Sequence, residues 1–226
     1  MKVAIMQPYF YPYLGYYQLI SECDSFVFLD NVNFIKKGFI HKNFINVNGG
    51  KSQISLRLSK ASQNKKINEL IISDSTSDFL NKVEECYKKS PHWEDVSIIL
   101  EKYKLEKHDS LSEFLININC HLISCLNLHA KVLKASDIPL EFNEARGEDR
   151  ILQIIKAIGG TSYINLPGGK DLYSKNNFEQ NNIELNFLEP NLKLDGSIEN
   201  SFSIIDCVAN YGFSYLEKWF SRGSSK

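Results

Sequence analysis

Two short stretches of the chain hold most of its candidate chemistry. The first, "DNVNFIKKGFIHKN" (30–43), places Asp30, Lys36, Lys37, His41 and Lys42 in one loop. Lysines there can neutralise a phosphate or a developing anion, and an imidazole or carboxylate can take a proton from an attacking amine. Asp30, Lys36, Lys37 and His41 are therefore the candidate catalytic residues. The second, "QPYFYPYLGYYQ" (7–18), crowds Tyr9, Tyr11, Tyr13, Tyr16 and Tyr17 around Pro8, Pro12 and Gly15. Phenol rings can stack on a sugar or base while their hydroxyls donate hydrogen bonds. A helix beginning near Gly15 would offer free N–H groups to a phosphate. Gln7, Pro8, Tyr9, Tyr11, Tyr13, Gly15 and Asn43 are the candidate substrate contacts. Half-buried packing tyrosines and a solvated lysine loop would have the same composition. Phe34, Ile35, Phe39 and Ile40 are expected to pin the loop to the body and so aim its charges.

Two further stretches are weaker. "NLPGGKDLYS" (165–174) reads as strand, glycine pair, lysine and helix, which makes Gly168, Gly169 and Lys170 a possible phosphate cradle. It lacks the G-x-x-x-x-G-K-[ST] spacing, so an ordinary turn explains it as well. Ser203 and Asp206 in "SFSIIDC" have capping-box spacing, and Asp206 joins the candidate substrate contacts only through its position. The five cysteines form no CxxC pair, and His92, His108, His121 and His129 form no HExxH pattern; no metal site is expected.

These residues need a scaffold, and 226 residues suffice to bury a substantial core. With 26 basic and 27 acidic side chains the net charge is −1, which provides no general field for DNA, RNA or an anionic bilayer. No apolar run approaches the roughly 20 residues that span a membrane. Met1-Lys2-Val3 leads straight into a strand without a signal-peptide pattern, and scattered cysteines suit a reducing compartment, so a cytoplasmic location is expected.

The hydrophobic pattern predicts a strand at 2–6, a turn at 7–14, a helix at 15–23 and a strand at 24–30. That is a βαβ unit, which pairs its strands in parallel. "KNFINVNGGKSQISLRL" (42–58) reads as a hairpin turning at Asn48-Gly49-Gly50. Helical spacing then predicts three helices within 78–130, the third capped by Ser110 and Glu113. Strands at 131–136, 162–165 and 183–188 alternate with helices at 148–158 and from about 173 to 180, and one or two helices end the chain. The expected fold is α/β, a Rossmann-like and mainly parallel sheet with a β-hairpin and a helical subdomain. Its parts are 1–77, the helical insertion 78–130, and 131–226, together one compact unit. Ligands of open α/β sheets bind at the carboxyl edge of the strands, where both 7–16 and 30–43 would fall.

Pro12-Tyr13-Leu14-Gly15-Tyr16 resembles the H-x-G-H turn of nucleotidylyltransferases, with Tyr13 and Tyr16 at the histidine positions. A phenol, with its pKa near 10, supplies no cation there, so charge would have to come from the lysine loop. Taken in order, "IMQPYFYPYLGYYQLI", "DSFVFLDNVNFIKKGFIHKN", "YINLPGGKDLY" and "FSIIDCVANYG" resemble the WbqC-like proteins, from residue 1 to about 212. The chain departs from that family's pattern at Lys42, where arginine is common, and at His41, where a small amide residue is common. The resemblance implies an enzyme of surface-polysaccharide (O-antigen or capsule) biosynthesis. Its implied activity is an N-acyl or aminoacyl transferase or ligase that joins an acyl group or an amino acid such as glycine to a nucleotide-linked amino sugar. The activated acyl donor could be made with ATP or arrive as a thioester or an aminoacyl-tRNA, the last disfavoured by the lack of a basic surplus. A non-catalytic sugar-nucleotide-binding protein and a nucleotidyltransferase making the activated sugar are the rival readings.

Overall fold

The computed structural model describes residues 1–73, 76–106, 109–140, 145–194 and 201–223. A five-stranded parallel sheet forms its centre: β1 (Lys2–Met6), β2 (Ser25–Phe28), β7 (Lys131–Lys134), β8 (Ser162–Asn165) and β9 (Glu184–Phe187), in the spatial order β7-β2-β1-β8-β9. In chain order this is 3-2-1-4-5, the arrangement of a doubly wound Rossmann-type sheet. The central strands are apolar on both faces because both are covered. Ala4, Phe26 and Phe28 point into one core, and Val3, Ile5 and Val27 into the other.

The first core is the larger. It receives α1 (Leu14–Ser21), the three helices α2 (Thr76–Tyr87), α3 (Trp93–Leu105) and α4 (Leu111–Cys125), and α7 (Ile204–Gly223). Phe79, Tyr103 and Phe114 from these helices pack continuously with Phe10, Tyr11 and Phe26. The Ser110 hydroxyl caps α4 by accepting from the Glu113 N–H at 3.5 Å. Glycine 212, at φ +73°, kinks α7. The second core takes α5 (Gly147–Ala157) and α6 (Lys175–Gln180), with Ile151, Ile154, Ile155 and Phe178 fully or nearly fully buried.

The antiparallel hairpin forms as the sequence predicts: β3 (Lys42–Val47) pairs with β4 (Gly50–Ser55) through Asn48 and Gly49, both at positive φ. A second small ribbon, β5 (Leu58–Ser59) with β6 (Ile71–Ile72), is not legible in the sequence because each strand is only two residues long. Among the described residues no helix is long and apolar enough to cross a membrane.

Close packing of α5 against β1 depends on Gly160. A Cβ there would lie 2.6 Å from Ile155 Cγ2 and 2.7 Å from Val3 Cγ2, both buried. Gly160→Ala should therefore destabilise the fold by about 1–3 kcal/mol in equilibrium urea unfolding, with the denaturant slope unchanged.

Candidate functional site

β1 delivers the chain to Gln7 at the carboxyl edge of the sheet. Its connection leaves on the side of α1, while that of the neighbouring β8 leaves on the side of α6, so the two diverge here. Such a switch point is where open α/β sheets bind ligands. The turn that follows cannot satisfy itself: two prolines lack N–H groups, and Tyr11 sits at φ +45°, a conformation costly for a bulky side chain.

Neighbouring elements supply the missing donors. The Asn43 amide donates to the Phe10 and Tyr11 carbonyls at 3.2 and 2.7 Å, and the Ser203 hydroxyl donates to the Tyr11 carbonyl at 2.9 Å. Asn119 on α4 donates to the Tyr9 carbonyl at 2.9 Å and accepts from the Tyr17 hydroxyl. The Tyr16 hydroxyl donates to the Gln7 carbonyl, and the Ile204 N–H to that of Pro12. Asn43, Asn119 and Ser203 are all buried, which strengthens these bonds and makes each hard to dispense with.

Held in this way, the turn sorts its aromatic rings. Phe10, Tyr11, Tyr16 and Tyr17 are core residues; Tyr11 stacks on Phe79 at 5.4 Å, and burial raises its phenol pKa well above the ordinary value. Tyr9 and Tyr13 are only half-buried. With Pro12, Phe39, Asn43, Leu192 and Ser201 they line a cavity of about 310 Å³. Its walls are mainly aromatic and aliphatic, with the Asn43 amide and the Ser201 hydroxyl among them. Gly15 lies just behind: a Cβ there would meet the Tyr13 ring at 2.6 Å and Pro190 at 3.0 Å. The glycine thus lets Tyr13 and Pro190 close over the start of α1.

The loop 30–43 runs across this edge. Phe34 and Ile40 are buried and anchor it, whereas Ile35 and Phe39 are about half exposed, because a tight turn closed by the Gly38 N–H on the Ile35 carbonyl throws them outward. Phe39 thereby becomes a cavity wall, 6.1 Å from the Tyr9 ring. Lys36 and Lys37 sit exposed at the tip. The His41 ring lies tilted against Phe34, 5.3 Å between centroids, and its Nδ1 is buried with no partner among the described residues. Burial, then the charges of Lys42 and Lys36, lower its pKa, so the imidazole is neutral at pH 7.

The remaining candidates lie elsewhere. Asp30 is buried and accepts from the Ser136 N–H at 2.9 Å; it lies near Arg150, whose pKa burial lowers and the Asp30 charge partly restores. Gly168 and Gly169 belong to a 3₁₀ turn in which the Gly169 N–H is taken by the Leu166 carbonyl, and Asn165 and Tyr173 fill the space beside Gly169. Lys170 pairs with Glu189 at 2.6 Å. Asp206, in the first turn of α7, accepts from the Asn46 N–H and the Tyr87 hydroxyl, while its other oxygen is buried with no partner among the described residues. Among the described residues no group of three or more His, Cys, Asp or Glu side chains could hold a metal; His108 lies outside them. Asn119, Leu192 and Ser201 carry no sequence signal, since nothing local sets them apart from ordinary helix and loop positions.

Comparison with known proteins agrees with the ordered motifs. The family model described as the WbqC-like protein family matches residues 7–217. A Mycobacterium tuberculosis protein, named Uncharacterized protein Rv1507c, is 24% identical over 220 residues, spanning 93% of this chain and 94% of its own length. No solved structure matches.

Desolvation raises the Asp206 carboxyl to about 6, against the lowering effect of its hydrogen bonds from Tyr87 and Asn46. A raised carboxyl pKa means that the folded state holds the proton more tightly. Its contribution is complete below the unfolded value near 4 and is lost as the pH rises through 6. Asp206→Asn should therefore gain stability relative to wild type by on the order of 2 kcal/mol between pH 4 and pH 7, measured by urea unfolding at each pH.

Proposed function

The chain belongs to the WbqC-like protein family, and from that premise we propose that it is an enzyme of surface-polysaccharide biosynthesis. The proposed reaction attaches a small acyl group or amino acid, such as glycine, to the amine of a nucleotide-linked amino sugar. The observation that carries this reading is the ring-walled cavity of Tyr9, Tyr13 and Phe39 at the carboxyl edge of β1, opened by a turn fixed from three other elements. A pyranose ring has apolar faces that pack on such walls and polar edges that the Asn43 amide and Ser201 hydroxyl can meet.

The chemistry needs a base for the amine proton. His41, two positions before Asn43, has a pKa lowered by burial and by the charges of Lys42 and Lys36, which favours the unprotonated form a base needs. In the proposed step the sugar amine attacks the activated acyl carbon, the C–N bond forms, and the leaving group departs with its bonding electrons. The released proton passes to His41. Lys36 and Lys37 add positive potential over the same loop, which stabilises negative charge developing on the acyl oxygen. ATP is required only if the acyl group is activated as an adenylate in the same protein.

Incubation with UDP-linked amino sugars and candidate donors (glycine with ATP, glycyl and acetyl thioesters), followed by mass spectrometry, tests the reading. A sugar nucleotide gaining the mass of one acyl group is expected. His41→Ala should lower kcat by 10²-fold or more with KM little changed, whereas Tyr13→Ala should act chiefly on KM. The acid limb of kcat/KM should lie below pH 6.5, since the base is active only when unprotonated. Absence of any product with saturable binding of the sugar nucleotide would favour a binding protein. Pyrophosphate release from a nucleoside triphosphate and a sugar phosphate would favour a nucleotidyltransferase.

A further inference from the structure

A second cavity, of about 500 Å³, opens on the same edge of the sheet, beyond β2. It is lined by Asn31, Val32, Asn33, Lys66, Ala145, Arg146, Gly147 and Arg150, and so collects three cationic side chains from separate parts of the chain. Lys66 arrives because the segment 62–72 is stitched to the loop: Phe34 N–H donates to the Lys65 carbonyl, Ile67 N–H to that of Val32, and Asn68 N–H to that of Asp30. Arg146 and Arg150 come from the start of α5.

Among the described residues these cations have few acidic partners. Asp30 lies near Arg150 and spends one oxygen on the Ser136 N–H. Glu69, three residues after Lys66, accepts from the Lys66 backbone N–H at 2.9 Å, and Glu148, in the first turn of α5, is committed to the Ser174 N–H and the Asn177 amide. Among the described residues no carboxylate pairs with Lys66 or Arg146, and both are exposed at the rim. Deeper in, the Arg150 Nη1 donates to the Ala145 carbonyl at 3.4 Å, while its Nε and the Asn31 Oδ1 are buried with no partner among the described residues. Buried guanidinium and amide groups without partners cost free energy, and such costs are repaid where a ligand completes them.

We propose that this cavity binds the diphosphate group of a hydroxyl-bearing ligand, with Lys66, Arg146 and Arg150 on the phosphate oxygens and Asn31 accepting from a hydroxyl. Arginine forks match phosphate geometry, and three cations suit a multiply charged group better than a single carboxylate. The volume accommodates more than a free anion, as a nucleoside diphosphate requires. Either substrate of the proposed transfer could carry such a group, but the assignment stands on the cavity alone and holds equally for a protein that only binds.

Isothermal titration of the full chain with pyrophosphate, UDP, ADP and uridine tests it. Pyrophosphate and at least one nucleoside diphosphate should bind saturably, and uridine far more weakly. Lys66→Ala/Arg146→Ala, at exposed positions, should weaken diphosphate binding tenfold or more with an unchanged melting temperature. Lys88→Ala/Lys89→Ala, which removes the same charge from the exposed end of α2, should leave it intact. Equal affinity for pyrophosphate and the nucleoside diphosphates would assign the site to free diphosphate, and tighter binding of a nucleoside diphosphate to the nucleotide. Failure of all three to bind, or equal losses in the two double variants, would overturn the proposal. Because no turnover is measured, these outcomes are distinct from failure of the acyl-transfer reading.

Discussion

Everything at the carboxyl edge of this sheet depends on satisfying the backbone carbonyls of one proline-rich turn. Residues 7–13 leave β1 with two N–H groups missing and one tyrosine at positive φ, a geometry that no local hydrogen bonding sustains. Asn43 from the hairpin, Asn119 from α4 and Ser203 before α7 reach in from regions far apart in sequence. Each is buried; loss of Asn43 would strip the Phe10 carbonyl and loss of Asn119 the Tyr9 carbonyl of its donor, while Ser203 is a second donor to the Tyr11 carbonyl. The helical segment, the hairpin and the C-terminal helix thus converge on the same few atoms.

That convergence has a functional consequence. Fixing the turn commits Phe10, Tyr11, Tyr16 and Tyr17 to the core and leaves Tyr9 and Tyr13 at its boundary. The loop 30–43 then runs between two cavities of opposite character. Its far end contributes Phe39 and Asn43 to an aromatic pocket, and its near end contributes Asn31 and Asn33 to a basic one. A basic pocket and an aromatic one are thus joined by a single loop.

The scaffold was readable in the sequence where a pattern has a local cause. Strand-helix-strand at 2–30 follows from apolar runs and turn residues, the hairpin from Asn48-Gly49, and the cap of α4 from Ser110 with Glu113. The ordered motifs also led to the family. The site was less legible. Composition alone could not separate Tyr11 from Tyr9, because which ring is buried is set by Phe79 on a helix some seventy residues later. Nor did it reveal the basic cavity: Lys66, Arg146 and Arg150 are unremarkable singly and acquire meaning only when the fold gathers them. The glycine pair at 168–169 taught the reverse, since Gly169 is explained by close packing against Asn165 and Tyr173.

The central claim, that buried amide donors hold the turn open as a cavity wall, is tested most directly by Asn43→Asp. The substitution keeps shape and leaves an acceptor for the Phe44 N–H, but it sets a carboxylate against the Phe10 and Tyr11 carbonyls. Urea unfolding at pH 8 should show a loss of about 3 kcal/mol or more, with part of it recovered near pH 5 as the buried carboxyl gains a proton and can donate again. A variant as stable as wild type at both pH values would contradict the account.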